Sequence, residues 1–178
     1  PKDLYHNWDL KENTINLQEL VLNFQKKDSF DSAVKSVRPN HIVYKRLKEA
    51  LNIINAFPEE DFQKITINKK IVLNDSNIVL PAIKRKLIYW KDLRVMDSLT
   101  PIFVKETELA VKRFQKRHGL APDGVIGSST IKALNFSKKR RKEQIIVNLE
   151  RWRWYPRQLE HEYLIINIPD YRLYVVKN

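Results

Sequence analysis

All three glycines of the 178-residue chain, Gly119, Gly124 and Gly127, fall within nine consecutive residues of the stretch Glu106–Asn135. Each sits where a backbone needs one. Ala110, Val111 and Phe114 share a helical face upstream of Gly119, so Gly119 stands where a left-handed residue closes a last helical turn. Pro122-Asp123-Gly124 has the composition of a tight turn, with proline presetting φ, aspartate bonding nearby backbone and glycine taking positive φ. Gly127 precedes Ser128, Ser129 and Thr130, hydroxyls that can serve the free N–H groups of a new helix. The stretch is expected to fold as helix, turn and short helix.

Phe114, Gln115, Gly119, Leu120, Asp123, Gly124, Gly127, Thr130 and Leu134 follow the order and spacing of the type 1 peptidoglycan-binding domain, which this stretch resembles. The first helix of that small domain is expected over Ile78 to Trp90, where Val79, Leu80, Ile83 and Leu87 form an apolar stripe and Pro81 sits in the first turn. The resemblance covers about Asp75 to Asn135.

Upstream, Thr14 caps an expected helix carrying Leu17, Leu20, Val21 and Phe24, and residues 26–36 are expected to hold a turn and a short helical piece. A second long helix carries Tyr44, Leu47, Ala50, Leu51 and Ile54 and ends before Pro58. Ile65, Ile67, Ile71 and Leu73 recur with a period of two, which predicts a short hairpin or paired strand. Residues 91–105 lose periodicity and are expected to form a loop. A helix starts near Ser137 with Ile145, Leu149 and Trp152 on one face, the chain turns at Tyr155-Pro156-Arg157, and Tyr163–Ile168 with Arg172–Val176 form a hairpin through Pro169-Asp170.

That hairpin is apolar on both faces, and an isolated two-stranded hairpin is marginal in water. It is expected to open a larger sheet, with the natural chain continuing beyond Asn178. The run Asn148-Leu149-Glu150-Arg151-Trp152-Arg153-Trp154, Pro156, and then Asn167-Ile168-Pro169-Asp170 resembles the entry to the catalytic domain of the large periplasmic L,D-transpeptidases. Arg38, Pro39, His41, Tyr44, Leu47 and Leu51 resemble the helix that precedes the binding module in the same group. The expected fold is therefore mainly α with short β elements: a helical scaffold over 1–74, a three-helix peptidoglycan-binding domain over 75–136, and a connecting helix with the first hairpin of a truncated catalytic β domain over 137–178.

The resemblance implies cell-wall cross-linking in the periplasm or cell envelope by a cysteine thiolate paired with histidine. The chain has no cysteine, and His6, His41, His118 and His161 lie outside any such motif. These residues are expected to be catalytically inert, with no cofactor and no metal. The implied partners are peptidoglycan and the rest of the catalytic domain, with no specific nucleic acid and no membrane span.

The candidate substrate-binding residues are Gln115, Arg117, His118 and Asp123. Each has a plainer reading: Gln115 bonds backbone within its module, Arg117 and His118 finish a solvent-facing helix end, and Asp123 forms the turn. Trp152 and Trp154 could stack on sugars or pack the domain. Glu59, Glu60 and Asp61 are read as helix-start charge. The net charge of +12, from 33 Lys and Arg against 21 Asp and Glu, concentrates in Lys138–Lys142. It fits attraction to an anionic polymer or a solvated helix start. A basic nucleic-acid-binding protein and a non-binding spacer domain are the alternative functions.

Overall fold

The computed structural model describes residues 16, 18–22, 30–94, 99–155, 161–168 and 171–177. Its helices are α1 (Phe30–Ser36), α2 (Ile42–Ala56), α3 (Leu80–Tyr89), α4 (Lys105–Arg117), α5 (Ser128–Leu134) and α6 (Lys138–Arg153). Strands β1 (Glu162–Asn167) and β2 (Arg172–Lys177) follow. Residues 18–22 are also helical, while Thr14, Leu17 and Phe24 of the helix expected there lie outside the described residues. So do Pro156, Arg157, Pro169 and Asp170. The chain divides into two compact units, Pro58–Arg141 and Pro1–Phe57 with Lys142–Asn178. Helical structure dominates, with a small antiparallel hairpin.

The Pro58–Arg141 unit is a three-helix fold around one apolar centre. Leu80, Ile83 and Leu87 of α3, Ala110, Val111 and Phe114 of α4, and Phe103 and Ile126 from the connections are all fully buried. The helix α3 begins two residues later than its apolar stripe suggests. Asn77 explains the delay, because its side-chain oxygen accepts from Val79 N–H at 3.1 Å and its carbonyl accepts from Leu80 N–H at 3.1 Å. Ile78 is left 90% exposed outside the helix, and Pro81 occupies the first turn as expected.

The expected hairpin over residues 62–74 is absent, although the alternation that suggested it is real. Ile65 and Ile71 are buried, but this segment pairs elsewhere. Ile71 exchanges both backbone bonds with Ile126, at 3.2 and 3.0 Å. Ile65 instead pairs with a side chain: Asn135 Oδ1 accepts from Ile65 N–H at 2.9 Å and Asn135 Nδ2 donates to Ile65 C=O at 2.7 Å. One amide thereby imitates a strand neighbour. A further bridge joins Ser76 to Ile102 within the expected 91–105 loop, and Asn74 N–H and Phe103 N–H donate to Phe103 C=O and Asp75 C=O.

Two buried lysines on α3 hold this unit closed. Lys84 is fully buried and its ammonium donates to Thr100 C=O at 2.8 Å, Ile102 C=O at 2.9 Å and Thr100 Oγ1 at 3.3 Å. Lys86 reaches Leu134 C=O and Asn135 Oδ1 and lies over the Phe62 ring. Burial lowers the pKa of both ammonium groups. At α6 the acidic cluster performs a helix-start role for a helix far away in sequence. Glu60 Oε1 accepts from Lys138 N–H at 3.0 Å, and Glu59 pairs with the Lys138 ammonium. The basic run is split by its helical spacing: Lys138 and Arg141 turn inward, while Lys139, Arg140 and Lys142 face solvent. Arg141 lies over Trp90 at 4.8 Å and donates to Ala133 C=O at 2.9 Å.

In the other unit, His41 caps α2 by accepting from Val43 N–H at Nδ1, 3.2 Å. Its Nε2 therefore carries the proton and donates to the Tyr163 hydroxyl at 3.0 Å. The imidazole also stacks on Trp152, with centroids 4.3 Å apart. Trp152 thus packs within the unit, and burial lowers the His41 pKa. The strands pair from Glu162↔Lys177 to Asn167↔Arg172. Alternation places Leu164, Ile166, Leu173 and Val175 together on one face, and all four are exposed.

Candidate functional site

The geometry of the glycine-rich turn begins at the end of α4. His118 is its C-cap and Gly119 follows at φ +69°, while Leu120 N–H returns to Gln115 C=O at 2.9 Å. The turn then passes through Gly124 at φ +80°. A Cβ at Gly119 would meet nothing, whereas one at Gly124 would stand 2.7 Å from Lys112 Cε and 2.8 Å from Glu108 Cγ. Both positions charge an L-residue for its positive φ. Gly119→Ala is therefore expected to cost about 1 kcal/mol, and Gly124→Ala about 2–4 kcal/mol because two paired side chains must also shift. Chemical denaturation of the two variants checks that order.

Gln115 organises the turn from below. Only 2% exposed, it donates from Nε2 to Asp123 Oδ1 at 2.8 Å, to Val125 C=O at 2.9 Å and to Thr130 Oγ1 at 3.2 Å. Its Oε1 accepts from Gly124 N–H at 2.9 Å. Asp123 Oδ1 also accepts from Val125 N–H at 2.9 Å. That backbone bond, followed by the Gln115 bond, holds the Asp123 carboxyl below the usual carboxylate range. Gln115 and Asp123 are thus brought together as one turn-forming pair. Thr130 Oγ1 joins them instead of capping α5, whose N-cap Gly127 receives no side-chain bond.

Arg117 and His118 face a different neighbourhood. The half-exposed Arg117 guanidinium bonds the buried Asp92 carboxylate. Arg113, one helical turn earlier, donates from Nε and Nη2 to Asp92 C=O at 3.2 and 2.7 Å. Asp92 lies inside the stretch expected to be loop, and no local signal in the sequence joins it to Arg113 and Arg117, which share a face of α4 at i, i+4. Beside them lies a cleft of about 880 Å³ whose lining includes Lys91, Asp92, Arg94, Glu106, Leu109 and Arg113. It combines both signs of charge with apolar wall, and among the described residues no aromatic side chain lines it.

His118 stacks on Phe114 with centroids 4.0 Å apart, and its Nδ1–H donates to Phe114 C=O at 2.8 Å. Burial is the main cause that pushes its pKa down to about 4, opposed by the Phe114 bond. The unfolded chain takes up this proton near 6.5, the folded unit only near 4. Stability is therefore full above pH 6.5 and falls as pH drops toward 4. Partial exposure limits the loss to about 1–2 kcal/mol. His118→Asn is expected to flatten the stability profile in this window relative to the parent chain, measured by urea unfolding.

Among the described residues no group of three or more His, Asp or Glu is placed to hold a metal, and no helix is long and apolar enough to cross a membrane. Residues 81–134, which run from the second residue of α3 through α4 and the Gln115 turn to the end of α5, match the family model of the peptidoglycan binding domain. Residues 1–51 match the family model of the Scaffold domain. No curated protein matches the chain. The chain thus carries a stretch matching a peptidoglycan-binding domain and one matching a Scaffold domain, and these matches support a binding and scaffold role with peptidoglycan as partner.

Proposed function

We propose that this chain is the wall-binding and scaffold portion of an L,D-transpeptidase that works in the periplasm or cell envelope. The peptidoglycan-binding match over 81–134 carries the binding half of this reading. The transpeptidase half is supported by Asn148–Trp154 and Asn167-Ile168-Pro169-Asp170. The domains are proposed to follow that division, with scaffold over 1–74, binding domain over 75–136, and connecting helix with catalytic entry over 137–178, residues 58–74 packing with the binding domain. The thiol needed for acyl transfer belongs to the rest of the catalytic domain. The exposed face of Leu164, Ile166, Leu173 and Val175 suits packing against the remainder of its sheet.

On the binding domain, Arg117 and His118 with the adjoining cleft form the surface offered to the wall, while Gln115 and Asp123 position the turn behind it. A stem peptide brings carboxylates and amines together with short aliphatic side chains. A cleft holding Arg94, Arg113 and Glu106 beside Leu109 complements that mixture, and glycan recognition would favour an aromatic platform. Titration with soluble peptidoglycan stem fragments tests it. Amide resonances of residues 91–94, 106–113 and 117 should shift, and Arg117→Gln should weaken binding about tenfold. Shifts confined to another face would contradict this site.

A further inference from the structure

A second cleft, of about 630 Å³, lies in the unit that holds α1 and α2, between the end of α1 and the first turns of α2. Among the described residues four cations line it, Lys35, Arg38, Lys45 and Lys48, and no carboxylate does. Lys35 pairs with Asp31 at 2.6 Å, so Arg38, Lys45 and Lys48 have no carboxylate partner among the described residues. Asn40 and two serines add neutral polar groups to the lining. The N-terminal end of the 15-residue α2 meets the same cleft through Asn40, Tyr44 and Lys45, and its aligned peptide dipoles add positive potential there. The buried Tyr44 also lines the cleft. The field reaches Asp31: after its bond to Lys35, the charges of Arg38 and Lys48 also hold its carboxyl below the usual range.

We infer that this cleft binds a phosphate group, as a phosphate ester or the headgroup of an anionic phospholipid, at a site separate from the wall-binding surface. The donor count selects phosphate over carboxylate. A carboxylate offers two oxygens, whereas three cationic side chains and several neutral donors match the larger acceptor set of a tetrahedral phosphate. Arg38 supplies a planar fork for paired bonds, and Lys45 and Lys48 supply point charges. The volume of about 630 Å³ leaves room for a phosphate together with part of the molecule that carries it. A nucleic-acid duplex presents phosphates in long rows and is better met by a stripe of cations than by one recess.

The test uses the 178-residue chain and inorganic pyrophosphate, followed by calorimetry. The double variant Arg38→Gln/Lys48→Gln removes two charges from the cleft. The control Lys139→Gln/Arg140→Gln removes two from exposed positions on α6. Pyrophosphate affinity should fall at least about tenfold in the first pair and stay within about twofold of the parent in the control. Vesicles with and without phosphatidylglycerol distinguish the source. Vesicle binding that pyrophosphate displaces identifies a headgroup, and pyrophosphate binding without vesicle binding identifies a soluble ester. Equal losses in both variants, absence of pyrophosphate binding, or binding of duplex DNA alone would overturn the assignment.

Discussion

Replacing Gln115 by leucine is expected to destabilise the peptidoglycan-binding domain by about 3–5 kcal/mol. The side chain is nearly the same size, so the loss comes from polar groups and hardly from packing. Gly124 N–H loses the acceptor that holds it, and Val125 C=O and Asp123 Oδ1 each lose a donor. Gly124 is buried, so its stranded N–H costs about 1–3 kcal/mol. Val125 C=O, by contrast, keeps the Thr130 hydroxyl and the exposed Asp123 Oδ1 keeps Val125 N–H, so each of their lost bonds adds only about 1 kcal/mol. Gln115→Glu separates charge from geometry. It keeps an acceptor for Gly124 N–H but sets a second carboxylate against Asp123 at hydrogen-bonding distance, so it should be destabilising at neutral pH and partly relieved by acid. Thermal unfolding of both variants across pH checks the pair. Unfolding temperatures equal to the parent's would show that the turn does not depend on this amide.

The second large effect is expected at Lys84. Lys84→Met retains the aliphatic stem within α3 but removes the ammonium that bridges Thr100 and Ile102. Two carbonyls lose their donor, which at about 1–2 kcal/mol each gives a destabilisation of about 2–4 kcal/mol. The desolvation that lowers the lysine pKa acts in the opposite direction, since methionine no longer has a charge to strip of water. The net loss should therefore lie nearer the lower figure. Hydrogen exchange supplies a local readout. Protection of Asn77 N–H, which donates to Pro101 C=O at 2.8 Å, and of Phe103 N–H, which donates to Asp75 C=O at 2.8 Å, should fall more than protection in α4. An undiminished bridge in Lys84→Met would place the stability of this segment in its backbone pairing alone.

Legibility of the fold followed the range of the interactions involved. Gly119 and Gly124 announced their turn because positive φ is a local demand that few other residues meet. The stripes of α3 and α4 were equally plain, since Leu80, Ile83, Leu87, Val111 and Phe114 needed only helical spacing to find the same core. The alternation of Ile65 to Leu73 carried true information about which side chains turn inward, but none about the pairing partner. That partner was the amide of Asn135 for Ile65 and the backbone of Ile126 for Ile71. Helical spacing gives no sign that Lys84 and Lys86 are buried, because the oxygens that receive them come from distant segments. Glu60 was legible as a helix-start charge, though the helix it serves begins at Lys138.

The candidate site was legible in part for the same reason. Gln115, Asp123 and Gly124 lie close enough in sequence for their turn to be anticipated, and their mutual bonds complete it. Asp92 joins Arg113 and Arg117 from outside the motif, and no local spacing rule connects a residue after α3 to two arginines on α4. The basic run showed its charge but not its sidedness. Only helical packing separates the inward Arg141, its pKa pushed down to about 10 mainly by burial, from the solvated Lys139 and Arg140.

The central claim is that wall recognition belongs to the folded binding domain and not to the chain's net charge. Co-sedimentation with purified insoluble peptidoglycan, at low and at high salt and with duplex DNA as competitor, tests it most directly. The parent chain should pellet with the wall at both salt levels and ignore the DNA, while Gln115→Leu above its unfolding temperature should remain in the supernatant with the same cationic side chains. Pelleting that disappears in high salt, transfers to DNA, or persists in the unfolded variant would mean that charge alone drives the association.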